Sequence, residues 1–177
     1  EIMTYYGELM ESVDLPFFIY NFPKLSGFSI TLDILEEMRK YTQLAGVKFT
    51  DSDFYLLERM KRAYPELCVW NGYDEMLLCG LSMGADGGVG STYNVLCPAI
   101  KGILSNFEKG NMQKAQEYQH LFNDMITVMS KCGNVFSAIK TILTFEGMDF
   151  GGCRKPFHAL SQEDVENIEH AYNVYLK

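Results

Sequence analysis

Tyr20, Lys48, the Asp74-Glu75 pair and Ser91 follow one another at separations of 28, 26 and 17 residues, each at the end of a short apolar run. A phenol, an amine, two carboxylates and a hydroxyl are groups suited to a polyhydroxylated carbonyl compound. Lys48 is the most informative of them. It lies within Leu44-Ala45-Gly46-Val47-Lys48-Phe49-Thr50, and lysine is among the side chains least often buried. An unpaired ammonium in an apolar run is costly, and a lowered amine pKa relieves that cost. A neutral amine at a strand end is the nucleophile that Schiff-base chemistry on a ketone or aldehyde requires. The alternative is a lysine whose stem packs on the core while its ammonium reaches water.

The elements that must position these groups form a repeat of strand, loop and amphipathic helix. Leu15 to Tyr20 reads as a buried strand with an exit loop at Asn21-Phe22-Pro23, and a helix follows over about 32–41 with Thr31 as N-cap. Gly46 to Phe49 is the second strand, and Phe54 to Tyr64 is a helix closed by Pro65. Leu67 to Trp70 is the third strand, followed by Asn71-Gly72-Tyr73-Asp74-Glu75 and a short helix to Met83. The fourth strand falls around Gly88 and Val89 and ends at Gly90-Ser91-Thr92-Tyr93-Asn94. Apolar strands alternating with helices predict a parallel sheet, and chemistry in parallel α/β barrels collects at the C-terminal strand ends. On that reading Tyr20, Lys48 with Thr50, Asp74 with Glu75, and Ser91 occupy equivalent places. From Val95 onward the periodicity is helical only, with helices at about 95–107, 112–131, 135–145 and 162–176; their Met and aromatic content reads as core or subunit interface.

Composition narrows the functional class. The 177 residues are 47% hydrophobic and 14% aromatic, which indicates a globular chain able to bury a sizeable core. A net charge of −8 without a Lys or Arg cluster argues against nucleic acid and anionic membrane as partners. Five cysteines, an odd number with no C-x-x-C, read as reduced thiols of a cytoplasmic protein, with neither zinc site nor disulfide framework. No apolar stretch reaches the roughly 20 residues of a membrane span, and no signal peptide is evident. His120, His158 and His170 fall away from the strand ends.

At the level of motifs the chain resembles the dihydrodipicolinate synthase and N-acetylneuraminate lyase family of pyruvate-dependent class I aldolases. The resemblance is carried by Tyr20-Asn21-Phe22-Pro23 with Leu25-Ser26-Gly27, by Gly46-Val47-Lys48-Phe49-Thr50, and by Asn71-Gly72-Tyr73-Asp74-Glu75. Gly84 to Asn94 and Cys153-Arg154-Lys155-Pro156-Phe157 extend it almost to the C-terminus. The Gly-Tyr-Asp-Glu and Gly-Ser-Thr-Tyr-Asn segments resemble the sialic acid branch. Dihydrodipicolinate synthases usually carry an arginine just after the tyrosine strand, where this chain has Pro23-Lys24-Leu25-Ser26-Gly27. Gly87-Gly88-Val89-Gly90-Ser91 lacks the Gly-Lys-Ser/Thr ending of a phosphate loop and reads as tight backbone around a sugar pocket.

The resemblance implies an α/β fold, the C-terminal half of a (β/α)8 barrel over residues 1–107, then a helical extension over 108–177. It implies that Lys48 forms an imine with open-chain N-acetylneuraminate and that Tyr20 takes part in proton transfer as the carbon–carbon bond breaks, giving N-acetylmannosamine and pyruvate. Asp74, Glu75 and Ser91 would bind the hydroxylated tail, with Thr50 and the backbone at Gly72 and Gly90 completing the pocket. Neither metal nor organic cofactor is called for. Other pyruvate-dependent aldolases, of the 2-keto-3-deoxy sugar acid or dihydrodipicolinate synthase type, are the alternative chemistry.

The departure from the family is at the front. A (β/α)8 barrel takes roughly 250 residues, and only four βα strands are legible here, with Glu1 to Val13 reading as the helix before the fifth. The Gly-rich segment whose hydroxyl pair binds the substrate carboxylate is not among them. The expectation is therefore a C-terminal piece of a longer lyase, with open sheet edges that favour pairing with an N-terminal half or oligomerisation, tetramers being usual in the family. A non-catalytic role as an assembly partner is the alternative of a different class.

Overall fold

The computed structural model describes residues 1–176. The chain divides into two compact units, Glu1–Val89 and Gly90–Lys177. In the first, the order is α1 (Ile2–Glu11), β1 (Phe17–Asn21), α2 (Pro23–Ser26), α3 (Leu32–Met38), β2 (Leu44–Phe49), α4 (Phe54–Ala63), β3 (Cys68–Asn71), a 3-10 turn (Asp74–Met76), α5 (Leu77–Ser82) and β4 (Gly87–Gly88). The strands pair in parallel in the order β1-β2-β3-β4. Each strand adds to the same side of the one before it, the winding of a β/α barrel and not of a doubly wound sheet, whose order reverses.

Both faces of these strands carry apolar residues, but only one face is core. Ile19, Val47, Phe49 and Val69 are buried together with Met10 of α1, Leu35 and Met38 of α3, and Leu57 and Met60 of α4. Phe18, Tyr20, Lys48, Cys68 and Trp70 alternate with them and occupy the opposite face, where Phe18 is 39% and Tyr20 49% exposed. The helices start where local chemistry starts them. Thr31 Oγ1 accepts the Ile34 N–H at 3.3 Å and the Asp53 carboxylate accepts the Leu56 N–H at 3.0 Å. The segment after Asn21 is not only an exit loop: Pro23 opens the single turn α2, and Gly27, at φ +69°, closes it.

An ion pair fixes the start of β3. Lys61 Nζ lies 2.9 Å from Asp86 Oδ2, and that carboxylate also accepts the Val69 N–H at 2.7 Å. Lys61 additionally donates to the Leu67 carbonyl at 2.9 Å. Three points of the chain are thus tied together before β3 runs toward the site.

The second unit comprises α6 (Tyr93–Glu108), α7 (Met112–Lys131), α8 (Val135–Phe145) and α9 (Gln162–Tyr175). Gly110 and Gly133 follow α6 and α7 at φ +74° and +72°, the left-handed conformation that ends a helix. Ser161 and Asp164 form a reciprocal capping box at α9. The Met and aromatic content is core in part: Phe122, Met125 and Met129 of α7 are buried, as are Ile139 and Ile142 of α8 and Ile168 of α9, whereas Met112 and Phe136 are exposed. Among the described residues no helix is long and apolar enough to cross a membrane.

The two faces of the sheet make opposite predictions. Phe49→Ala empties a fully buried site and is expected to cost about 3–5 kcal/mol in a denaturant titration, whereas Phe18→Ala, on the open face, costs less than half of that. Equal losses would contradict the assignment of the core to one face.

Candidate active site at the strand ends

Strand register brings the first two candidates together. Tyr20 pairs with Lys48, Lys48 with Trp70, and Trp70 with Gly87. Residues paired across parallel strands share a face, so these four form one row. The Lys48 side chain, half-buried, carries its Nζ to 4.2 Å from the centroid of the Tyr20 ring, within the range at which an ammonium is attracted to an aromatic face. Phe22 stacks on Tyr20 at 5.7 Å, and Tyr73 meets Phe22 edge-on at 6.1 Å and 87°. A short chain of rings therefore runs from the amine to the loop after β3.

The loops leave the strands under tight backbone control. Thr50 N–H donates to the Asn21 carbonyl at 2.8 Å, Gly72 N–H to the Phe49 carbonyl at 2.8 Å, and Val89 N–H to the Asn71 carbonyl at 2.9 Å. The ladder so continues one residue past each strand and holds the loop starts in step. Thr50 is 3% exposed, and its Oγ1 occupies the space where a Cβ on Gly72 would stand. Gly72 is therefore required for Thr50 to hold this position. Two buried asparagines hold the loops from the core side: Asn21 Oδ1 accepts the Ile30 N–H at 3.0 Å, and Asn71 Nδ2 donates to the Tyr73 carbonyl at 2.6 Å.

Asp74 and Glu75 occupy the 3-10 turn that follows, Asp74 buried and Glu75 exposed. Burial pushes the Tyr73 phenol above its ordinary range, and the negative charges of Asp51 and Glu75, with Tyr20 nearby, push it in the same direction. Tyr73 therefore stays a hydrogen-bond donor at neutral pH and well above it. Gly90 and Ser91 open the second unit. Ser91 is exposed, and its carbonyl accepts from Asn94 Nδ2 at 2.8 Å just ahead of α6.

Four residues of this neighbourhood were given no role by sequence reasoning: Phe22, Asp51, Trp70 and Tyr73. The signal for Trp70 was present in the two-residue alternation of strands, which places it level with Lys48 once β2 and β3 are set in parallel register. The three histidines are exposed. All five cysteines are free thiols, and burial with the nearby Asp86 carboxylate raises that of Cys68 above its usual range. Among the described residues no group of three His, Cys, Asp or Glu side chains is placed to hold a metal ion. An amine over a phenol ring, beside a turn carrying two carboxylates, has the parts to condense with a carbonyl and to move protons next to it.

Comparison with known proteins places the chain in a family. Residues 1–174 match the model of the dihydrodipicolinate synthetase family. An N-acetylneuraminate lyase of Clostridium perfringens is 38% identical over 175 residues, which is 99% of this chain and 60% of that protein. Among solved structures, N-acetylneuraminate lyase from Fusobacterium nucleatum complexed with pyruvate is 36% identical with a TM-score of 0.93, over 99% of this chain and 60% of that one. A catalytic lysine mutant of the sialic acid aldolase of Ruminococcus gnavus is 30% identical with a TM-score of 0.95, over 99% and 59%. The chain spans about 60% of the length of the curated relatives it matches. Its β1–β4 and their helices are accordingly part of a (β/α)8 barrel.

The Tyr73 assignment is open to spectrophotometric titration. The folded-state pKa is raised above the unfolded one, so the associated stability is fully present below about pH 10 and is lost as pH rises through the folded value. Tyr73→Phe is expected to remove one late-ionising phenol from the ultraviolet titration and to lose less stability than the wild type above that pH. Removal of a phenol that ionises with the exposed tyrosines would contradict the assignment.

Proposed function

Given that this chain belongs to the dihydrodipicolinate synthetase family, we propose that Lys48 is the Schiff-base lysine of a class I aldolase that cleaves N-acetylneuraminate to N-acetylmannosamine and pyruvate. The observation that carries the reading is the Lys48 amine at 4.2 Å from the Tyr20 ring, at the C-terminal end of a central strand. The names of the relatives, a pyruvate complex and a catalytic lysine among them, support the same chemistry.

The steps follow from the groups in place. Lys48 Nζ adds to the ketone carbon of the open-chain sugar acid, a C–N bond forms, and the ketone oxygen leaves as water. The resulting iminium accepts the electron pair of the bond between carbons 3 and 4 as it breaks. The hydroxyl on carbon 4 loses its proton and becomes the aldehyde of N-acetylmannosamine. Tyr20 takes part in moving that proton, and the enamine left on Lys48 is protonated at carbon 3. Water then hydrolyses the imine, releasing pyruvate and restoring the amine. Thr50, the Gly72 backbone, Asp74 and Glu75 serve the hydroxylated tail, the carboxylates as pure acceptors for its hydroxyls. In this reading the covalent lysine adduct does the work of an electron sink, with no organic cofactor.

Borohydride reduction in the presence of pyruvate, followed by peptide mass spectrometry, tests the proposal. A reduced adduct on Lys48, absent in Lys48→Arg, is the expected result; no adduct, or one on another lysine, contradicts it. Tyr20→Phe is expected to keep the adduct and lower kcat for cleavage about 10²–10⁴-fold, the usual contribution of a positioned proton-transfer group. Faster cleavage of shorter 2-keto-3-deoxy sugar acids than of N-acetylneuraminate would instead place the enzyme in a neighbouring branch of the family.

A further inference from the structure

The open face of the sheet carries two aromatic residues that the core does not use. One row toward the N-terminal strand ends from Lys48, Phe18 pairs with Gly46 and Gly46 with Cys68. A Cβ on Gly46 would stand 2.7 Å from Phe18 Cε1, so the Phe18 ring lies over the glycine, directly beneath the point from which the Lys48 side chain rises. A second glycine does the same for the indole. A Cβ on Gly87 would stand 2.8 Å from Trp70 Cζ3 and 3.2 Å from Cε3, so the ring spreads over β4. Phe18 and Trp70 meet across β2 with centroids 6.3 Å apart and planes 33° apart.

The register thus sets Tyr20 and Trp70 on the strands either side of Lys48 in its own row, and Phe18 on β1 one row below. A lysine side chain has four rotatable bonds with three staggered wells each, and a nucleophilic amine is useful in few of them. Rings in these two places would close the wells that swing the amine toward β3 or down the sheet. Those that remain carry it to Tyr20, where it is found.

We infer that Phe18 and Trp70 are positioning residues for Lys48, filling the space the side chain would otherwise sweep and holding the amine at the Tyr20 ring. The inference rests on the imine reading above. The pair lies on the face of the sheet opposite the helices. Ile19, Val47 and Val69 form the core on the other face, and Phe18 is 39% exposed. Trp70 is also the single tryptophan of the chain, so its emission reports on the neighbourhood of the amine.

The test measures the rate of reductive trapping by pyruvate in the wild type, Phe18→Ala, Trp70→Ala and Trp70→Phe, with Trp70 emission followed in the wild type and Phe18→Ala. Freeing one or two side-chain torsions lowers the share of productive amine by roughly 3- to 10-fold. The alanine variants are expected to trap more slowly by that factor, with the half-saturating pyruvate concentration little changed. Trp70→Phe, which keeps a ring, is expected to recover most of the rate, and wild-type emission to change as the adduct forms. If Trp70→Ala fails to fold, Phe18→Ala carries the test, since its side chain lies off the core. Wild-type trapping rates in the folded alanine variants, or unchanged emission while the adduct accumulates, overturn the inference. A wild type that yields no adduct overturns the imine reading itself and this inference with it.

Discussion

The pairing of β1 with β2 in the register that sets Tyr20 beside Lys48 is the constraint on which the site depends. Strand side chains alternate faces, so a slip of one residue would send Lys48 into the core and Val47 or Phe49 onto the open face. The apolar residues on either side prevent this. Ile19, Val47, Phe49 and Val69 are all buried, and a one-residue slip of a strand would bring its share of them to the open face. The packing that stabilises the sheet thereby fixes which side of it the amine faces, and the amine's position follows from core energetics as much as from its own contacts.

Glycines perform the complementary task on the open face. Gly46 and Gly87 leave room for Phe18 and Trp70, and Gly72 leaves room for Thr50. A Cβ on Gly46 would meet the Cys68 carbonyl as well as the Phe18 ring, one on Gly72 would meet Thr50 Oγ1, and Gly87 combines a φ of +158° that side chains rarely adopt with the close approach of Trp70. A strand interior rich in glycine is ordinarily weakened. Here the loss is offset by aromatic contacts across β2 and by backbone hydrogen bonds that carry the ladder past each strand.

Much of this was legible in the sequence, for reasons that differ by element. Lys48 stood out because a lysine inside an apolar run violates the burial preference of its type. Thr31 announced its helix through a side-chain oxygen placed to accept an early N–H group, and it does so. The parallel βα pattern and the helical second half also carried through to the structure. What stayed hidden was the division of labour between the two faces of the strands. In Phe17-Phe18-Ile19-Tyr20 every residue is apolar or aromatic, so alternation leaves no trace in hydropathy. Pairing alone revealed which residues meet Lys48. The roles of Phe22 and Tyr73 were likewise invisible, since a ring stack between two loops has no sequence period. The turn α2 was missed because four residues are too few to show one.

In the proposed reaction Lys48 turns a keto acid into an enamine. The most direct measurement is proton NMR of pyruvate in deuterium oxide with the protein present. An imine on Lys48 that interconverts with its enamine exchanges the methyl protons for deuterium. Progressive loss of the methyl signal is expected with the wild-type protein, and none above background with Lys48→Arg. Persistence of that signal with the wild type, or its equal loss with the variant, would contradict the proposed reaction.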